Sequence, residues 1–176
     1  MPTTQVRLAG QERFFHEDEV IVSKTDPRGI ITYANQVFLR VAGYREEEVL
    51  GRPHNIIRHP EMPRSVFKLL WDKLKKKEEV FAYVINQTKG GDYYWVFAHV
   101  TPSTDRRGNV VGYHSNRRVP SRRAVDTISD IYRELLEEES QHADRRAGML
   151  AGEALLEQKL SSLGTTYEQF AFSLDG

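Results

Sequence analysis

Between residues 80 and 116 three β-rich runs alternate with two turn sequences, and no other feature restricts the fold so strongly. Val80-Phe-Ala-Tyr-Val-Ile-Asn-Gln-Thr88 meets Lys89-Gly-Gly-Asp92. Tyr93-Tyr-Trp-Val-Phe-Ala-His-Val-Thr101 meets Asp105-Arg-Arg-Gly-Asn109, and Val110-Val-Gly-Tyr-His-Ser-Asn116 follows. Turns this short return the chain on itself, so the three runs are antiparallel neighbours. An earlier pair, 20–26 and 30–33, is joined by Asp26-Pro-Arg-Gly29, where Pro presets φ and Gly is free to take a positive one. Helical signals lie between pair and triplet. Asn35 is an N-cap for a helix with Val37, Phe38, Val41 and Ala42 on one face, closed by Gly43. Two short turns follow at 46–50 and 54–57. Arg64 to Lys77 then carries Val66, Phe67, Leu70, Trp71 and Leu74 at helical spacing. The order β-β, helices, β-β-β predicts an α+β domain: a five-stranded antiparallel sheet with helices on one face. A ligand pocket is expected between sheet and helices.

Composition sets the outer bounds. The 176 residues hold 25 Lys plus Arg against 25 Asp plus Glu, six His and no Cys. Zero net charge argues against a chain built to neutralise nucleic-acid phosphates. Without cysteine there is no disulfide framework, thiolate nucleophile, thiolate metal site or cysteinyl cofactor adduct. No signal peptide and no run of ~18 apolar residues is present, which predicts a soluble, cytoplasmic protein with no membrane insertion. The charge is unevenly divided. Residues 1–120 hold 19 basic and 14 acidic side chains, a surplus of five; residues 121–176 hold 6 and 11, a deficit of five. All seven Pro lie at or before Pro120. The predicted organisation is a segment at 1–18, a domain at 19–120 and a helical C-terminal extension at 121–176, with Ser121 as an N-cap.

Pro53-His-Asn-Ile-Ile-Arg-His-Pro-Glu-Met-Pro63 gathers two His, an Arg and an Asn before an apolar helix. By residue type alone this reads as a polar connection. Together with Ser23-Lys-Thr-Asp26, Gly29-Ile-Ile-Thr-Tyr-Ala-Asn35, Gly43-Tyr44, Leu70-Trp71, Asp92-Tyr-Tyr-Trp95 and Gly112-Tyr113, it closely resembles the PAS sensor domain of the bacterial aerotaxis-receptor type. The resemblance covers roughly residues 16–135 and implies non-covalent FAD in the pocket. A flat ring system with a polar edge needs apolar walls and an amide able to donate and accept. Ile56, Ile57, Trp71, Phe81, Trp95 and Tyr113 are the implied walls. Asn86 is the implied edge amide, with Asn35 a second candidate, and Tyr94 and Trp95 alternate so that only one of them faces the pocket. Arg58 and His59 match the family's cationic pair, and Glu61 completes the block. Glu61, Phe81 and Ile85 depart from the family's usual Asp, Trp and Lys.

Two other readings stay open. His54 or His59 could be the axial ligand of a haem-binding PAS gas sensor, or the domain could be a cofactor-free interaction module. No His or carboxylate spacing supports another metal, and no motif offers an activated nucleophile or a phosphate-cradling loop, so an enzyme is not expected. In the extension, Val125, Ile128, Tyr132 and Leu135 form one apolar stripe, and Ala143 to Leu163 continue it less strongly past Gly148 and Gly152. Gly164 is a C-cap, and Thr165-Thr-Tyr-Glu168 has capping-box form. The stripe either docks on the sheet's free face or forms a homodimer or partner interface. The resemblance to stand-alone aerotaxis members implies a partner, the cytoplasmic HAMP or signalling region of a membrane chemoreceptor.

Overall fold

The computed structural model describes residues 9–175, so residues 1–8 of the expected N-terminal segment lie outside the described residues. Five strands, β1 (Ile21–Thr25), β2 (Ile31–Ala34), β3 (Val80–Gln87), β4 (Tyr93–Thr104) and β5 (Val110–Arg118), form one antiparallel sheet of order β2-β1-β5-β4-β3. The β1–β2 turn is held by Asp26, whose Oδ1 accepts from Arg28 N at 2.8 Å and Ile30 N at 3.0 Å, while Gly29 takes φ 85°. Helices α1 (Gln36–Ala42), α2 (Glu46–Val49) and α3 (Arg64–Lys75), with a 3-10 turn at His54–Ile57, connect β2 to β3 and cover one face. Asn35 caps α1 through Phe38 N, and Gly43 closes it at φ 77°.

Several boundaries differ from the expected ones; β4, for one, runs on to Thr104, three residues past the expected end. Helix α3 stops at Lys75 because Lys77 turns left-handed at φ 65°, letting Glu78 N reach Lys73 O at 3.1 Å. Strand β5 runs on to Arg118, two residues past the expected end, paired with β1 on one side and β4 on the other.

The extension forms α4 (Arg122–Ser140), α5 (Arg145–Ser162) and α6 (Tyr167–Asp175). Its apolar stripe docks within the chain, on the second face of the sheet: Val125, Ile128, Tyr132 and Leu135 share one core with Tyr83, Ile85 and Trp95. Polar groups inside this contact are paired. Tyr132 donates its hydroxyl to Tyr83 O at 2.6 Å and lies 2.7 Å from Tyr167 Oη, and Tyr83 Oη donates to Ala171 O at 2.9 Å. The capping box sits one residue later than expected. Gln169 N donates to Thr166 Oγ1 and Thr166 N to Gln169 Oε1, because α6 starts at Tyr167 and Thr166 is its N-cap. Glu168 is left to pair with Lys73 at 3.0 Å.

Gly148 and Gly152 reduce helix propensity, yet the packing requires them. Buried Glu139 of α4 accepts from Ser65 N, in the first turn of α3, at 2.7 Å. Helix α5 closes over it so tightly that a Cβ on Gly148 would lie 2.5 Å from Glu139 O, and one on Gly152 2.9 Å from Ser65 Oγ. In a free helix Gly→Ala stabilises by about 1 kcal/mol. Here Gly148→Ala is expected to destabilise by about 1–3 kcal/mol through overpacking, read as a lower urea midpoint at unchanged m-value.

Candidate functional site

Strand alternation decides which side chains can meet a ligand. On β3, Val80, Ala82, Val84 and Asn86 point toward α3; on β4 it is Ala98 and Val100, and on β5 Tyr113, Ser115 and Arg117. Ala82 and Ala98 are directly opposite in register, and two methyl groups leave the middle of the sheet hollow. Phe67, Leu70, Trp71 and Leu74 of α3 form the far wall. The cavity volume is about 350 Å³, toward the low end of the ~300–1,000 Å³ usual for ligand pockets. None of its lining residues is Asp or Glu, and three are Arg.

The inner end is polar. Arg117, 3% exposed, donates from Nη2 to Ser23 Oγ at 2.6 Å, and its Nη1 lies 3.2 Å from His54 Nε2. Ser23 Oγ is 2.9 Å from that same nitrogen. With donors converging on Nε2, the imidazole is neutral and its proton is assigned to Nδ1. Burial, reinforced by the Arg117 charge, pushes the His54 pKa down to about 3, consistent with that form. Burial also lowers Arg117 to about 10, and it raises the Tyr94 phenol to about 12 against the opposing pull of Arg117 and Asn86. Asn86, also 3% exposed, makes no hydrogen bond of ordinary geometry through Nδ2.

The mouth is marked by more exposed side chains. Trp71, 38% exposed, packs edge-on against Tyr113 at 5.4 Å. Arg58 lies with Cζ 4.0 Å from the Phe67 ring centre, a cation–π contact. Its pKa is lowered first by burial and then by Arg64, with Glu139 opposing.

Of the residues expected at the site, Ile57, Arg58, Trp71, Asn86 and Tyr113 line this cavity. Phe81 and Trp95 do not. With Asn86 pointing inward, odd-numbered positions of β3 point outward, and Trp95 lies opposite outward Ile85. Phe81 therefore stacks on His99 at 4.1 Å and packs at a tilt against Phe172 at 4.6 Å, and Trp95 stacks on Tyr132 at 6.1 Å; Tyr94 is the inward member of its pair. Asn35 spends its amide on the backbone, accepting from Val22 N and Phe38 N and donating to Val20 O. Ile56 packs against the α1 side of the core. His59 is buried with its ring against Tyr93 at 6.0 Å, its Nδ1 accepting from Glu61 N; burial lowers its pKa. Glu61 borders a groove beside Tyr93, Trp95 and Arg122 on the other side of the sheet, where burial raises its pKa. Ser23 and Arg117 were not among the expected residues. Period-two counting from Tyr113 reaches Arg117, once β5 is known to continue that far.

Comparisons with known proteins agree with this architecture. The PAS fold family matches residues 31–117. The aerotaxis receptor of Escherichia coli K12 is 39% identical over 119 residues, which is 68% of this chain and 23% of the receptor's length. The light-state structure of the blue-light photoreceptor Aureochrome1 LOV superposes with a TM-score of 0.53 at 27% identity, covering 68% of this chain and 91% of that one. A light-oxygen-voltage domain studied with a flavin analogue gives the same TM-score and identity, covering 69% of this chain and 86% of that one. Among the described residues no helix is long and apolar enough to cross a membrane, and no group of His and carboxylates could hold a metal ion. The sheet order, the cavity and the sequence match show that this chain contains a PAS domain, related in sequence to the aerotaxis receptor.

Proposed function

We propose that this protein is a flavin-binding PAS sensor that reports redox state to a chemoreceptor-type partner. One observation carries the reading: an apolar, acid-free cavity holds a buried amide nitrogen with no hydrogen bond of ordinary geometry, Asn86 Nδ2, and a buried cation, Arg117. A buried polar atom left unpaired costs about 1–3 kcal/mol, and a ligand edge bearing both carbonyl and imide groups would satisfy the amide in both senses. Leu70, Val84 and Val100 offer the branched surfaces a flat ring needs. When bound, a flavin supplies reversible electron transfer. With no cysteine in the chain, no thiol is available to form a covalent adduct.

The choice of FAD rests on the aerotaxis resemblance. The cavity is sized for a ring system, so a dinucleotide's phosphates would lie toward the mouth, where the cations are Arg58 and Arg28, the latter paired with Asp26 at 3.2 Å. A haem reading fits less well. His54 Nε2, the atom a metal would need, already receives Ser23 and Arg117, and His59 is not at the cavity wall. Signal output is assigned to the sheet and the helices on its second face, acting in the cytoplasm on the HAMP or signalling region of a membrane receptor.

The first test is the visible spectrum of protein reconstituted with FAD. A double-banded yellow flavin spectrum that co-elutes with the protein is expected; a Soret band on purification, or no uptake, would overturn the reading. Asn86→Ala is expected to weaken FAD binding on the order of tenfold, about 1–2 kcal/mol, in equilibrium titration. Trp95→Ala, on the opposite face, is expected to lower Tm while leaving FAD affinity within about twofold.

A further inference from the structure

Arg117 presents an electrostatic problem that the protein alone leaves unsolved. Taking a guanidinium out of water costs several kcal/mol, and buried Arg side chains are ordinarily matched with a carboxylate. Among the described residues no carboxylate is within ion-pairing distance of Arg117. Its neighbours are the neutral Ser23 hydroxyl, the neutral His54 ring and the Phe38 ring, whose centre lies 5.3 Å from Cζ. Its Nε is buried without a hydrogen bond. The one acidic proton nearby, on Tyr94, is retained because the same burial disfavours the phenolate. Ser23 and His54 fix the guanidinium through Nη2 and Nη1, leaving Nε free of any partner. The second cation with a role in the site, Arg58, is half-buried at the mouth and has Glu139 within electrostatic reach, so its charge is better screened.

We infer that Arg117, held by Ser23 and His54, is the counter-charge for a planar ligand that becomes negative on reduction, and sets how much more tightly the reduced ligand binds than the oxidised one. The inference rests on the flavin reading and adds to it the residue that tunes the redox equilibrium. In the step concerned, one electron passes from an external one-electron donor to the ring, no proton accompanies it, and the donor is oxidised by one electron. The added negative charge is balanced by the existing positive charge of Arg117, in a site too apolar for water to share the task. Arg117 acts here as an electrostatic residue fixed before the ligand arrives, so no reorganisation is required.

The test compares wild type, Arg117→Met, Arg117→Lys and Ser23→Ala, each reconstituted with FAD and titrated with dithionite against a reference dye. Arg117→Met is expected to lower the reduction potential, the preference for reduced over oxidised FAD falling on the order of 10- to 100-fold. Arg117→Lys should recover part of that preference, and Ser23→Ala should lose less of it than Arg117→Met. Without FAD, Arg117→Met should melt at a higher temperature than wild type, because an unmatched buried charge has been replaced by an apolar chain of similar length. Equal potentials in wild type and Arg117→Met, with FAD bound to both, would overturn this inference alone. Failure of wild type to take up FAD would overturn the underlying flavin reading. A ligand-free Arg117→Met that melts lower than wild type would show that the protein already satisfies the cation.

Discussion

Ala82 on β3 faces Ala98 on β4, and one residue along, Tyr83 faces Phe97. The first pair points toward α3 and the second toward α6, so the same two strands are hollow on one face and filled on the other. The hollow face becomes the cavity. The filled face brings Tyr83 and Phe97 within 4.7 Å ring to ring and gives the extension an aromatic surface to dock on. A one-residue slip of this register would exchange the faces, filling the cavity with aromatic rings and exposing Asn86 to the tail. Cavity and docking surface therefore depend on one backbone alignment, which the Gly90–Gly91 turn helps fix by letting Gly91 take φ 92°.

Most of the scaffold was legible because its signals are local. Turn residues, the Asn35 cap and the apolar spacing of α3 act over a few positions, and each falls where it was expected. The site was less legible because its residues are assigned by parity. Naming Asn86 as inward already commits Phe81 to the outer face, yet an aromatic ring looks equally suited to a cavity wall or a core. Trp95 presented the same choice, and only the pairing with Ile85 decides it. Arg117 was hidden for another reason. A cation following polar Ser115 and Asn116 reads as the end of a strand, and nothing in composition shows that pairing with Phe97 and Ala98 of β4 and with Ile21 of β1 continues. Gly148 and Gly152 show only half of their role in the sequence: their cost to helix propensity is local, while the close approach they permit to Glu139 is tertiary.

The opposite charges of the two halves also acquire a structural meaning. Acidic groups of the extension meet cations of the PAS body and N-terminal segment: Glu153 with Lys68 at 3.0 Å, Glu168 with Lys73 at 3.0 Å, and Arg122 with Glu12 in the reverse sense at 2.6 Å. Partly exposed pairs of this kind contribute about 0–1 kcal/mol each, so they orient the tail more than they hold it. Holding is done by apolar burial and by Glu139, whose carboxylate supplies an acceptor at the N-terminus of α3, where backbone N–H groups lack partners.

This balance limits how a change in the cavity could reach a partner. Val125, Ile128 and Leu135 are essentially fully buried against the sheet, and at about 1.5–3 kcal/mol each their exposure alone would cost about 5–9 kcal/mol. Releasing Tyr132 from Tyr83 O and Tyr167 adds further cost. Coupling between a ligand site and a distant surface is typically about 1–3 kcal/mol, too little to detach α4 and α6 from the sheet. A signal carried through β3 and β4 must therefore work within the docked state, by small shifts of helices that remain packed. Helix α3 is the element best placed for this: its Leu70 and Trp71 line the cavity while its first turn is fastened to Glu139 of α4, so any displacement of its cavity wall acts directly on the extension.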